Sequence, residues 1–138
     1  MNHKNITLKI VDSSDFRFLF NLLKERDVNA NISHKKMPTY LDHVKFVKSK
    51  PYTKWYIIKQ SQKKVGSVYL SKNDEIGIFL KKSHHGKNFA SEALKLVVEE
   101  NPRSRYLANV NPKNVRSTKF FKKNGFKLIQ HTYELEKD

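Results

Sequence analysis

Cysteine is absent from the 138 residues, which removes disulfides, a thiol nucleophile and any Cys-ligated zinc or iron–sulfur site. Long apolar runs are absent too. No stretch approaches the roughly 18 consecutive apolar residues of a membrane span, and the opening MNHKNITLKI lacks the apolar core of a signal peptide. The four glycines and four prolines fall singly, as punctuation, and no linker, repeat or low-complexity segment divides the chain. Hydrophobic residues make up 38%, enough for one packed core at this length. The expectation is a single soluble, cytoplasmic domain over residues 1–138, monomeric or homodimeric, with no membrane partner.

Acidic residues are also few. Asp and Glu number 13 against 28 Lys and Arg, a formal net charge of +15. Such a field favours polyanions, so an RNA- or DNA-binding protein is the rival class to an enzyme. The lysines are nevertheless spread from Lys4 to Lys137 in short doublets such as Lys63-Lys64 and Lys122-Lys123. That spread describes a solvated surface better than a nucleic-acid face, and neither an aromatic RNP pattern nor a helix-turn-helix signature is present.

Periodicity gives an order of elements. A strand is predicted over 6–11, then a helix over 14–26 capped by Ser13 or Ser14, with Phe16, Leu19, Phe20 and Leu23 at helical spacing. After a polar loop, Pro38 and Thr39 open a second helix through Lys48, in which Tyr40, Val44 and Val47 share a face. Residues 55–59, 64–70 and 75–80 read as an antiparallel meander joined by short polar turns. A turn at 83–88 leads to a helix carrying Ala90, Ala93, Leu94 and Val97, then a strand at 106–110 returning by a parallel crossover. A last helix from about Asn114 to Lys123 stops at Gly125, an αL cap, and strands at 126–130 and 132–135 close the order β-α-α-β-β-β-α-β-α-β-β.

The chemistry is concentrated in EIGIFLKKSHHGKNFASEAL, residues 75–94: a strand, a basic turn and a helix start. The first helical turn leaves backbone N–H groups without intrahelical partners at the positive end of the dipole, so a pyrophosphate can bind against main chain. Gly86 permits close approach, Lys87 adds charge and Asn88 tolerates left-handed dihedrals. A solvated strand-to-helix connection would read the same way. The second segment, NPKNVRSTKFFKKNGF at 111–126, has an Asn and a Ser that an ordinary capped helix with buried phenylalanines does not explain.

Together these segments resemble the GNAT superfamily of acyl-CoA-dependent N-acetyltransferases, loosely its nucleotide-aminosugar subgroup, over essentially the whole chain. The family's acyl-CoA loop, Gln/Arg-x-x-Gly-x-Gly/Ala, is matched by His85, Gly86, Lys87, Asn88, Phe89 and Ala90. His85 replaces the usual Gln or Arg and Asn88 a glycine. The second motif, Asn-x-x-Ser, an aromatic pair and Gly-Phe, is matched by Asn114, Ser117, Phe120-Phe121, Gly125 and Phe126. The resemblance implies a mixed α/β (α+β) fold: a mostly antiparallel six- to seven-stranded sheet, a central splayed parallel strand pair and about four helices.

It further implies a cytoplasmic acyltransferase that moves an acetyl group from acetyl-CoA, its co-substrate, to a primary amine by direct attack. An aminosugar or nucleotide sugar is favoured as acceptor. Main chain at Phe79 and Leu80 would hold the acetyl and pantetheine groups, 85–90 the pyrophosphate, and Asn114, with Ser117 and Phe121 on the same helix, the pantetheine arm. Phe121 stands where many members carry an acidic tyrosine, and Tyr133 or Tyr106 would substitute. Glu75 is the expected base, acting through water. The acceptor side is expected around Arg26, Asn31, His34 and His43. No metal is expected, because His84-His85 has no third ligand at a recognisable spacing. A catalytically weak CoA-binding domain is the other alternative.

Overall fold

The computed structural model describes residues 5–26 and 37–137. Strand β1 (Ile6–Ile10) pairs antiparallel with β2 (Lys54–Gln60), β2 with β3 (Lys63–Leu70), and β3 with β4 (Ile76–Leu80), in the order β1-β2-β3-β4. The expected meander is therefore present. A register shift at Ile58/Lys59 makes a bulge, which brings Val65 into the same apolar cluster as Val68 and Leu70.

Helix α1 (Phe16–Glu25) follows a short 3-10 turn, Ser13–Asp15. The cap is neither Ser13 nor Ser14. Asp12 accepts from Ser14 N while Asp15 reaches back to Asp12 N, a reciprocal box that serves two orphan N–H groups where a lone serine serves one. Helix α2 (Tyr40–Lys48) starts at Thr39, whose side chain accepts from Asp42 N as anticipated, and it buries His43 and Val47. Helices α3 (Phe89–Glu100) and α4 (Val115–Lys123) follow.

The sheet carries helices on both faces. Phe89, Ala93, Leu94 and Val97 of α3 close one cluster with Ile6, Tyr56, Ile58, Val65, Val68, Leu70 and Ile76. On the opposite face Leu19 of α1 and Val47 of α2 pack with Ile57. The alternation Tyr56/Ile57/Ile58 supplies both cores from one strand.

Three of the expected strands take a different form. Residues 106–110 make a single parallel bridge, Glu75 with Leu107, through Leu107 N→Asp74 O at 2.9 Å and Ile76 N→Leu107 O at 2.7 Å. Past Leu107 the two chains part, so no ladder forms. Segments 126–130 and 132–135 are not strands: beyond Phe126, which packs on the core, the described chain lies exposed and unladdered. Their alternation is strand-like, but a strand exists only where a neighbour supplies the hydrogen bonds. The described sheet thus has four strands rather than six or seven, while the mixed α/β class and the four helices stand.

Candidate active site

The parting of β4 from residues 108–111 opens the molecule on one side. Two adjoining cavities result, of about 570 and 1040 Å³, and Leu22, Arg26, Ile78, Phe79, Asn114, Ser117 and Phe121 border both. Their junction lies at the level of β4 and the start of α4.

The larger cavity is the loop-and-helix side. Leu80, His85, Gly86, Asn88, Phe89 and Ala90 line it together with Lys82, Lys113, Arg116 and Lys123. Gly86 has φ +78° and Asn88 φ +65°, both left-handed, so the turn needs a glycine and an asparagine where the sequence has them. Asn88 is the N-cap of α3 and no side chain caps that end, which leaves its first amides beside a cavity bordered by cations. His85 does not extend into solvent: its Nε2 lies 3.1 Å from the Leu80 carbonyl and, when protonated, donates to it. Lys87 is exposed and lines neither cavity. Burial pushes His84 below its ordinary pKa, and Lys87, Lys81 and Lys63 add to the effect, so His84 carries little charge at neutral pH.

Asn114 has a structural duty besides the one the resemblance implies. Its Oδ1 accepts from Ser117 N at 3.1 Å, capping α4, and its carbonyl accepts from Thr118 Oγ1 at 3.1 Å. The Asn-x-x-Ser spacing is thus an N-cap motif that also borders both cavities. Phe121 is wedged between Phe120 and Phe126, each 5.0 Å away centroid to centroid in edge-to-face geometry.

The smaller cavity has an aromatic wall. Tyr52 and Tyr69 stack face to face, 3.9 Å apart with a 4° interplanar angle, and Trp55 meets Tyr52 edge-on at 4.8 Å. Phe46 joins them at 6.0 Å from Trp55, and Phe79 lies 6.3 Å from Tyr69. Gly77 makes this possible, because a Cβ there would run into the Tyr69 ring. An isolated glycine inside a strand marks such close approach, and this was the one sequence signal for a wall otherwise missed. Burial pushes the Tyr52 and Tyr69 phenols above their ordinary pKa, so both are protonated donors. The Arg26 guanidinium lies 4.1 Å from the Phe79 ring centroid, a cation–π distance. His43 is buried between Phe20 and Phe46; burial lowers its pKa and it is neutral at pH 7.

Glu75 sits at the fork, on the rim of this aromatic cavity. Ser71 Oγ donates to its Oε1 at 3.1 Å and Asn109 Nδ2 to its Oε2 at 2.9 Å. Arg26, His43, Glu75, Phe79, Asn114, Ser117 and Phe121 therefore share one cavity. Tyr133 does not join them: it is 91% exposed and lines neither cavity. Tyr106 is committed elsewhere, its Oη donating to Asn101 O at 2.6 Å and accepting from Arg103 N at 2.9 Å. Asn31 and His34 lie outside the described residues. Among the described residues no group of three or more His, Cys, Asp or Glu could hold a metal, and no helix is long and apolar enough to cross a membrane.

An α/β sheet forked beside an uncapped helix start, with a basic and an aromatic chamber meeting at the fork, defines a group-transfer site for two substrates. Residues 5–127 match the acetyltransferase (GNAT) domain family, and the chain belongs to it. It is accordingly an acyltransferase that uses acetyl-CoA as co-substrate for N-acetylation. No curated protein matches the chain. Among solved structures it is similar to an acetyltransferase from Thermus thermophilus (19% identity, TM-score 0.76, 94% of this chain and 92% of that one). It is also similar to the ribosomal alpha-N-protein acetyltransferase RimL in complex with coenzyme A (18%, 0.73, 91% and 82%). A third is the spermidine/spermine N-acetyltransferase SpeG from Vibrio cholerae (18%, 0.72, 92% and 82%). At these identities the likeness is one of fold.

Proposed function

We propose that the acceptor is a primary amine on a small ring-bearing molecule, an aminosugar or nucleotide sugar ahead of polyamines and peptide N-termini. The observation that carries this reading is the aromatic wall of Tyr52, Trp55 and Tyr69 facing the fork where Glu75 stands. An apolar aromatic wall suits the C–H groups of a sugar ring, and Arg26 beside Phe79 suits an anionic group such as a phosphate. A flexible polycation would gain from clustered carboxylates, and this cavity is bordered by two, Asp42 and Glu75, with Arg26 against them.

The roles follow from position. The pyrophosphate of acetyl-CoA lies against the α3 amides around Gly86–Ala90 with Lys87 nearby, the pantetheine arm runs past Asn114, and main chain at Phe79 and Leu80 faces the acetyl group. Glu75 takes the proton of the amine through a water molecule. The freed lone pair attacks the thioester carbon, the N–C bond forms, and the C–S bond breaks from the tetrahedral adduct as the adduct's nitrogen gives up its remaining extra proton, which ends on the departing sulfur. Phe121 has no proton to give the leaving sulfur, and Ser117, a residue that borders both cavities, is assigned the hydrogen bond to it. A thiol of pKa about 8.5 needs little more help than that near neutral pH. The co-substrate favours a cytoplasmic setting.

Thiol release from acetyl-CoA across a panel of nucleotide-linked aminosugars, polyamines and peptides tests the reading. Turnover is expected with the first class. Saturable acetyl-CoA binding without turnover on any amine would instead indicate a cofactor-binding domain, and absent binding with salt-sensitive RNA affinity would indicate the nucleic-acid class. Asn88→Asp, which keeps left-handed tolerance but sets a carboxylate beside the pyrophosphate, should weaken acetyl-CoA about tenfold without lowering thermal stability; unchanged affinity overturns the loop assignment.

A further inference from the structure

Glu75 is held from two sides of unequal kind. Ser71 belongs to the same hairpin: its Oγ accepts from Glu75 N at 3.0 Å and Asn73 N at 3.2 Å while donating to Glu75 Oε1. That contact travels with the glutamate. Asn109 stands across the fork, two residues beyond Leu107, where the main-chain pairing with β4 ends. Arg103 Nε to Asp74 Oδ1 at 3.0 Å, the Leu107 pairing, and Asn109 Nδ2 to Glu75 Oε2 at 2.9 Å form three successive ties between the two chains. The Asn109 tie is the one nearest the open cleft, and Asn109 and Glu75 both border the aromatic cavity.

We propose that Asn109 is a positioning residue for Glu75, fixing the direction in which the carboxylate meets the acceptor's proton at the mouth of the fork. The proposal rests on the reading of Glu75 as proton acceptor. Asparagine suits the task for chemical reasons. It donates one N–H to a carboxylate without neutralising its charge, and the remaining lone pairs of both oxygens stay available to a water or amine. Lysine or arginine at 109 would pair with the carboxylate as a competing cation, and aspartate would repel it. Without this tie the carboxylate keeps only the Ser71 contact, which is carried on its own hairpin, and proton transfer depends on held geometry.

Four proteins separate the possibilities: wild type, Asn109→Ala, Glu75→Gln and the double variant, each compared for kcat, KM and acetyl-CoA affinity by titration calorimetry. Asn109 is exposed, so its variants should fold, and equal urea midpoints check this. Asn109→Ala is expected to lower kcat about tenfold with acetyl-CoA affinity within about twofold, and to add almost nothing in the Glu75→Gln background, because residues acting as one unit are non-additive. Asn109→Asp supplies a readout that a merely structural role would not move. Two carboxylates about 3 Å apart share a proton, so the acidic limb of kcat/KM should move up by about one pH unit or more, while Asn109→Ala leaves it in place. The other charged or titratable groups bordering this cavity, Tyr69, Tyr52, Arg26, Asp42 and His43, are common to every variant and cancel. Unchanged kcat in Asn109→Ala, an equal loss in the Glu75→Gln background, or an unmoved limb in Asn109→Asp overturns the proposal. Full turnover in Glu75→Gln removes the base assignment beneath it, a result distinguishable from the other three.

Discussion

The β1–β4 meander and the chain beyond residue 101 are built on opposite terms. In the meander every strand is laddered, and Ile57, Ile58, Val65, Val68 and Leu70 are wholly excluded from solvent. From 102 to 137 no described residue is fully buried, α4 included, and the main chain makes one bridge to the sheet. Yet 109–121 supplies one whole wall of both cavities. A protein that reads its co-substrate through main chain must leave main-chain groups unpaired, and unpaired backbone contributes little to folding. Stability and binding are thus divided between two lengths of chain. Substitutions of the buried residues in the first should move stability, and those of cavity-lining residues in the second should move activity more than stability.

The largest expected effect comes where that division is thinnest. A Cβ added at Gly66 of β3 would lie inside the contact distance of the Phe79 carbonyl oxygen and crowd Leu80. Backbone cannot swing aside as a side chain does, so β4 must move. Gly66→Ala should lower unfolding free energy by about 3 kcal/mol and also weaken acetyl-CoA, since Phe79 and Leu80 border its cavity. Urea denaturation with calorimetry on the same sample checks both. A stability loss with cofactor affinity intact would show that the two regions are more independent than their shared strand suggests.

A purely structural effect of smaller size belongs to Asp15. Its carboxylate is wholly buried, 2.6 Å from Lys9 Nζ and 2.6 Å from Lys64 Nζ, and it accepts from Asp12 N at 2.9 Å. Burial pushes its pKa up, but Lys64, Lys9 and the Asp12 amide outweigh burial and hold it below the ordinary carboxylate range. The native state therefore binds the proton less tightly than the unfolded chain. The contribution is present above pH about 4 and is lost as pH falls through the lower native value. Asp15→Asn should lower stability by about 2 kcal/mol at pH 7, the lysines being about a third exposed, and should flatten the decline as pH falls below about 4. Turnover at pH 7 should be unchanged, and any loss of it would break the division.

The same contrast explains what could be read from sequence. The meander, α1 and α2 were legible because burial imposes periodicity: Leu19, Phe20, Val47 and the Tyr56–Ile58 alternation are consequences of two covered faces. Gly86, Asn88 and Gly125 were legible because left-handed backbone restricts residue type. The strands expected at 126–130 and 132–135 were not, since alternation records a preference and pairing requires an edge. The Asn109–Glu75 tie depends on how residues meet in space, and the Tyr52–Tyr69 stack depends on how the bend before β2 meets β3. No local pattern announces them.

The smallest expected effect tests the second region alone. Phe121, at the position where the family resemblance implies an acidic tyrosine, lies edge-on to Phe120 and Phe126 and borders both cavities. Those neighbours fix the ring plane, so a hydroxyl added in Phe121→Tyr extends the ring along its own axis without repacking the helix. A phenol, with an ordinary pKa of about 10, is a better donor to a departing thiolate than an aliphatic hydroxyl, and turnover should rise by a few-fold, less than about 1 kcal/mol, with the urea midpoint unmoved. The gain should be larger in a Ser117→Ala background if Ser117 now serves the sulfur, because one donor then replaces another. An equal gain in both backgrounds would place the native donor elsewhere. A fall in stability on Phe121→Tyr would mean that this region, for all its exposure, carries part of the fold.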